Sequence, residues 1–180
     1  MLNSDVENMF STYRAALKKM ENGLDIRFEQ AISIISDTSQ HVIICGMGKS
    51  GLVGRKIAAT FSSTGTAALF LHPAEAIHGD LGMVQENSVV LLISHSGETE
   101  EVIKLIPALR RLDVKIIGLV GSLSSTLALV SDVALDVSID REACPLNLAP
   151  TASTTTALAL GDSLAVVLLE MRGFKADDFA

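Results

Sequence analysis

The sequence is short of several things, and each shortage excludes something. It has only two cysteines, Cys45 and Cys144, far apart and without metal-ligand spacing. They read as free thiols of a reducing cytoplasm, which is the expected location. Basic clusters are missing as well: nothing exceeds the pairs Lys18-Lys19 and Arg110-Arg111, and the net charge is −7 with a pI near 5.0. A nucleic-acid backbone partner is therefore not expected. An anionic small molecule remains open, because a few backbone N–H groups and one lysine make a local positive site. No run of 18 apolar residues occurs, since Gly161, Asp162 and Ser163 break the most apolar stretch, Ala157 to Leu169. No membrane span is expected. The opening Met1-Leu2-Asn3-Ser4-Asp5 lacks the basic region and apolar core of a signal peptide. Internal repeats and low-complexity segments are also missing.

What is present is apolar. Of 180 residues, 48% are hydrophobic and 19% charged, with a mean hydropathy of +0.41. That is one domain's length with a full core. The apolar surplus points to helices buried on several sides, and hence to contacts between subunits.

The pattern alternates. Residues 5 to 36 carry helical spacing in Met9, Tyr13, Leu17 and Met20, then Phe28, Ile32 and Ile35, with Gly23 between two pieces. Short β-branched runs follow at 41–45, 67–71, 88–93, 114–120 and 133–137. Helical stretches lie near 50–63, 99–111, 124–130 and 153–171. Continuous apolar strands joined by helices predict a doubly wound α/β fold: a five-stranded parallel sheet flanked by helices, in three layers. Ligands in such sheets bind outside the carboxyl ends of the strands.

The first strand ends in Gly46-Met-Gly48-Lys49-Ser50-Gly51. A Walker A loop fails here, because its leading glycine falls on Ile43. The spacing Gly46, Gly48, Gly51 matches the dinucleotide fingerprint, but the second strand ends in Leu71, His72 and Pro73, where a ribose-binding acid belongs. No cofactor is expected. What the two motifs share is an anion held by backbone N–H groups at a helix N-terminus, with Ser50 as cap and donor. The plain alternative is a tight turn with an exposed lysine. The third strand ends in Ser94-His95-Ser96-Gly97-Glu98-Thr99. Three hydroxyls in six residues suit a phosphate monoester, whereas an ordinary capping box needs only one. Glu100 and Glu101 by themselves read as a solvated first turn. His72, Glu75 and His78 have helical spacing but no clear third ligand, so no metal is expected. His41 lies at the wrong sheet edge, and His95 lines the phosphate loop. After the fifth strand, apolar residues around Glu142 predict a desolvated carboxylate with a raised pKa, as a general base requires. The Thr/Ser run before the last helix caps it and offers further hydroxyls. Asp162 reads as a buried structural partner.

Gly46-Met-Gly-Lys-Ser-Gly51, His78-Gly-Asp-Leu-Gly82, Ser94-His-Ser-Gly-Glu-Thr99, and Glu142-Ala-Cys-Pro-Leu with Leu148-Ala-Pro-Thr together resemble the sugar isomerase (SIS) domain, and within it the D-arabinose-5-phosphate isomerases. The resemblance covers residues 5 to 180 and implies one SIS domain over 1–180, with N-terminal helices at 1–37 and an α/β core at 41–172. It implies interconversion of D-ribulose 5-phosphate and D-arabinose 5-phosphate through a cis-enediol, feeding Kdo synthesis for lipopolysaccharide or capsule. Lys49, His78, Glu101 and Glu142 match catalytic positions. Gly48, Ser50, Ser94, His95, Ser96 and Thr99 match the phosphate site. A homo-oligomer, usually a tetramer, is implied, without metal or cofactor. The family pattern departs from this sequence in two ways: it continues into a Ser-His-Pro-Gly segment just past Phe179-Ala180, and most members carry CBS domains, which are not expected here. The rival readings are a phosphosugar-sensing module without catalysis and an isomerase of another phosphosugar.

Overall fold

The computed structural model describes residues 2–178. Met1, Phe179 and Ala180 lie outside the described residues, and with them the point where the family pattern runs on.

Two helices lead the chain, α1 (Leu2–Asn22) and α2 (Ile26–Asp37). Asp25 starts the second: its carboxylate accepts the Arg27 amide at 3.0 Å and the Arg27 guanidinium at 2.7 Å. Those bonds hold its carboxyl down at about 2. The core alternates β1 (Val42–Gly46), α3 (Gly48–Ser63), β2 (Ala68–Leu71), α4 (Pro73–Ile77), β3 (Val89–Ser94), α5 (Glu100–Ile103), α6 (Ile106–Arg111), β4 (Lys115–Val120), α7 (Thr126–Val130), β5 (Val133–Asp136) and α8 (Ala152–Met171). The five strands are all parallel, in the order β2-β1-β3-β4-β5.

The strands sort themselves by burial. β1 and β3 are buried at every residue, as befits strands covered on both faces, whereas the edge strands are only partly so: β5 alternates, and β2 is open at its two middle residues. Within β1 the two-residue period separates two cores. Val42 and Ile44 face Ile35, Phe61 and Leu164 of α2, α3 and α8. Ile43 and Cys45 face Val102, Leu109 and Leu127 of α5, α6 and α7. Burial pushes the Cys45 thiol up to about 12, so it behaves as a small apolar side chain.

The stretch expected as one helix over 99–111 is two. Pro107 stands at the second position of α6 and has no N–H to continue the ladder from α5. The last helix is as expected, but its reading needs correction in one respect. By length and composition α8 is apolar enough to cross a membrane, even with Gly161, Asp162 and Ser163 inside it. Half of it is buried within the fold, where Thr156, Leu160, Leu164 and Leu168 face the core. Asp162 is not fully buried either: it is one-third exposed and paired with Lys56 of α3 at 2.5 Å.

Topology positions the site. From β1 the chain moves outward to β2, then returns to β3 on the other side of β1. The loops after β1 and β3 therefore run in opposite directions, and a crevice opens between them.

Candidate active site

The loop after β1 turns at Gly48, whose φ of +56° suits glycine, and α3 begins there. Met47, the residue before it, supplies no side-chain cap. The first-turn amides of Gly48, Lys49 and Ser50 are left to an external acceptor, and the helix dipole favours an anion.

The loop after β3 lies beside it. Ser94 is buried, and its Oγ accepts the Gly97 amide at 3.1 Å while sharing a 2.7 Å hydrogen bond with Thr99 Oγ1. Ser96 Oγ accepts the Glu98 amide at 3.1 Å. The three hydroxyls thus shape the loop as well as lining it.

Between the start of α3 and the carboxyl ends of β3, β4 and β5 lies a cleft of about 390 Å³. Ile93, Leu119 and Val137 give it an apolar wall. Ser50, His95, Arg141, Glu142, Asn147 and Ser153 bring polar groups to it. Glu142, 9% exposed, sits over the start of α8. Its Oε2 accepts the Thr151 amide at 2.8 Å, the Thr151 hydroxyl at 3.1 Å and the Ser153 amide at 3.2 Å; its Oε1 accepts the Ser153 hydroxyl. The expected raised pKa is therefore corrected. Desolvation does push the carboxyl up, but the hydrogen bonds from Ser153 and Thr151 outweigh it and hold it below its ordinary value. Glu142 is a carboxylate at neutral pH. Oε1 keeps room for one more proton or donor.

His95 is expected among the phosphate ligands. Its ring lies against Gly121 and enters the cleft that Glu142 and Ser50 line, which Ser96 and Thr99 do not reach. Burial lowers its pKa against the pull of Glu142 and Asp136, and Nδ1 is buried without a partner. A neutral imidazole carries no charge for a phosphate; it serves as a donor or acceptor inside the cleft.

Lys49, His78 and Glu101 are not brought into this cleft. Lys49 is exposed at the second position of α3, His78 is exposed at the end of α4, and Glu101 is half-buried on α5. α4 packs against α5, so His78 and Glu101 sit on neighbouring elements. His72 precedes α4 and shares no helix face with His78; no group of three metal-holding side chains occurs among the described residues. Arg141 and Asn147 are cleft residues that the motifs do not reveal. Adjacency to Glu142 is the available signal for Arg141. Asn147 has a φ of 55°, and its side-chain oxygen accepts the Glu142 amide at 2.6 Å. Nothing in the sequence order shows that loop closing on itself. The other cysteine of the chain, Cys144, lies in this loop half-buried, its thiol lowered by amides of Ala149, Leu148 and Leu146.

Comparison with known proteins gives the family. Residues 34–167 match the model of the SIS domain. The chain is 48% identical, over 99% of its length and 57% of the relative's, to arabinose 5-phosphate isomerase KdsD of Francisella tularensis. It is 53% identical, over 85% of its length and 47% of the relative's, to the protein of the same name from Pseudomonas aeruginosa. The chain thus spans about half the length of these curated relatives. Among solved structures, that of E. coli CFT073 c3406 in complex with arabinose 5-phosphate superposes with a TM-score of 0.95 at 37% identity, covering 99% of this chain and 95% of that one.

Proposed function

The chain belongs to the SIS domain family, and from that premise we propose that it is an aldose–ketose isomerase interconverting D-ribulose 5-phosphate and D-arabinose 5-phosphate. One observation carries the reading. The protein from E. coli CFT073, whose solved structure is a complex with arabinose 5-phosphate, matches this chain over nearly the whole length of both. The isomerase names of the relatives at 48% and 53% identity support the same chemistry.

In this reading residues 1–180 form one SIS domain, with N-terminal helices at 1–37 and the α/β core at 41–172. The substrate's phosphate lies on the first turn of α3 and the loop after β3. Gly48 offers its amide and Ser50 its hydroxyl, and Ser94, Ser96 and Thr99 shape and line the other wall. Anchoring that end orients the open-chain sugar along the cleft. Glu142 Oε1 removes the proton from the carbon next to the carbonyl and returns it to the neighbouring carbon, through a cis-enediol. General base help of this kind is worth about 10²–10⁴-fold. The hydrogen bonds from Thr151 and Ser153 weaken Glu142 as a base but fix its orientation and keep it ionised. Lys49 stabilises the enediolate oxygen. His78 assists ring opening or shuttles the hydroxyl proton, and Glu101 holds a sugar hydroxyl or Lys49. His95, a neutral imidazole in the cleft that Ser50 also lines, offers the phosphate a hydrogen bond rather than a charge.

The product would serve Kdo synthesis for lipopolysaccharide or capsule, in the cytoplasm, with no nucleic acid or membrane as partner. The working form would be a tetramer. The apolar side chains left exposed on α1, Val6, Met9 and Phe10, support a self-associating surface.

The test mixes the purified chain with D-ribulose 5-phosphate and follows D-arabinose 5-phosphate by NMR, with Glu142→Gln beside it. Product from the wild type, with turnover at least about 100-fold slower in the variant, is the expected result. If the wild type makes no product yet its melting temperature rises with sugar phosphate, the chain is either a binding module or a sequence cut short of residues the reaction needs, and restoring the residues that follow Ala180 in the family pattern separates the two.

A further inference from the structure

Glu98 sits in the middle of the hydroxyl-rich loop, yet its carboxylate does not point at the place the phosphate would take. Its Oε1 accepts the backbone amide of Thr126, the first residue of α7, at 2.7 Å. Two backbone bonds run parallel to it: the Gly121 amide donates to His95 O at 2.8 Å, and the Leu127 amide donates to Gly97 O at 3.0 Å. The contact is close. A Cβ on Gly97, whose φ is +69°, would collide with Cβ and Oγ of Ser125. The loop after β3 is therefore laid directly on the loop after β4. Of the three bonds named, only Glu98's is made by a side chain, so it alone depends on the identity of the residue.

We propose that Glu98 is a positioning residue: its bond to the Thr126 amide clamps the phosphate loop onto α7 and presets the geometry in which Ser96 and Thr99 meet the substrate. The inference rests on reading that loop as the phosphate site. The bond has a second consequence. A carboxylate free to swing within this loop would repel an anionic substrate, and fixing it on the Thr126 amide holds the charge aside. That bond, with a second from the Thr126 side chain, keeps the Glu98 carboxyl below its ordinary value, so the clamp is ionised and closed at neutral pH.

The bond can be cut from either end without touching a reacting group. Glu98→Ala removes the acceptor. Thr126→Pro removes the donor, at a helix position that accepts proline, and the preceding Ser125 already has the extended backbone (φ −72°, ψ 160°) that proline demands. Each single variant is expected to raise KM for D-ribulose 5-phosphate about tenfold while kcat stays within about threefold. The double variant is expected to be no worse than the weaker single, since both break the same contact between Glu98 and Thr126. Glu98→Gln, whose amide oxygen accepts the same N–H, is expected to return KM to within about twofold of the wild type. A role in folding alone would lower the melting temperature and leave KM unmoved, and that result would overturn the proposal. Ser50→Ala, on α3 and outside the clamp, separates the two layers of the argument. If Ser50→Ala raises KM while Glu98→Ala and Thr126→Pro do not, the clamp falls and the phosphate reading stands. If none of the three moves KM, the phosphate reading falls and takes the clamp with it.

Discussion

Glu142 concentrates the chemistry of a single residue. Two opposing effects act on it, burial and hydrogen bonding, and the bonds from Thr151 and Ser153 win. If it is the base, the acid limb of kcat, which the free substrate's own phosphate ionisation at about pH 6 does not enter, lies below pH 4.5, the ordinary value of the group, and a limb of kcat at about pH 6 would assign the base elsewhere. The same shift acts on stability. Glu142 ionises more readily folded than unfolded, so its contribution is complete above its ordinary value and is lost as pH falls through its lower folded value. Melting temperature followed from about pH 6 to about pH 3 is expected to drop more steeply in the wild type than in Glu142→Gln. Glu142→Ala is harsher, because it strands buried donors at the start of α8. About 3 kcal/mol of stability is expected to go with it, read as a fall in melting temperature of about 6–12 °C.

At the scale of elements, the close approach of α3 and α8 sets how Glu142 meets the first-turn amides, since Ser50 and Ser153 are carried by these two helices. Gly161 permits that approach: a Cβ there would collide with Ile57 Cδ1 and lie 2.7 Å from its Cγ1. Alanine would gain about 1 kcal/mol of helix propensity over glycine. Overpacking against a fully buried isoleucine costs about 1–3 kcal/mol, and it wins. Gly161→Ala is expected to melt a few degrees lower, with a larger loss of activity than that fall alone would cause. Lys56 and Asp162 tie the same two helices from the solvent side, where an exposed pair adds little.

For the whole molecule, the exposed apolar surface bears on assembly. Val6, Met9 and Phe10 follow helical i, i+3, i+4 spacing and lie exposed together on α1, with Phe10 58% accessible. Leu146 and Leu148, 75% and 77% exposed, stand on the loop that carries Glu142. A core-like composition left on the surface is what a partner copy would cover. Sedimentation of the purified chain is expected to give four times its 19.0 kDa mass. Phe10→Asp is expected to shift that mass downward, and a wild-type monomer at micromolar concentration would refute the tetramer.

Much of this protein is legible in residue order. The strands fall within about one residue of their expected places, because β1 and β3 are apolar at nearly every position and only a sheet covered on both faces tolerates that. The two loops proposed for the phosphate stand out in residue order because Gly48, and three hydroxyls between Ser94 and Thr99, lie at the carboxyl ends of strands. Local chemistry of this kind is written along the chain. The break at Pro107 is equally written there, although the helical spacing on either side of it reads as continuous. What the tertiary structure alone decided is everything that depends on groups distant in sequence meeting in space. The sign of the Glu142 shift turns on Thr151 and Ser153 folding back over it. The turn of His95 into the cleft depends on Gly121, and the hold on Glu98 depends on Thr126. Apolarity and backbone preference act between neighbours and so survive as pattern. A pKa or a clamp depends on which donors arrive from elsewhere, and that is settled only when the chain closes.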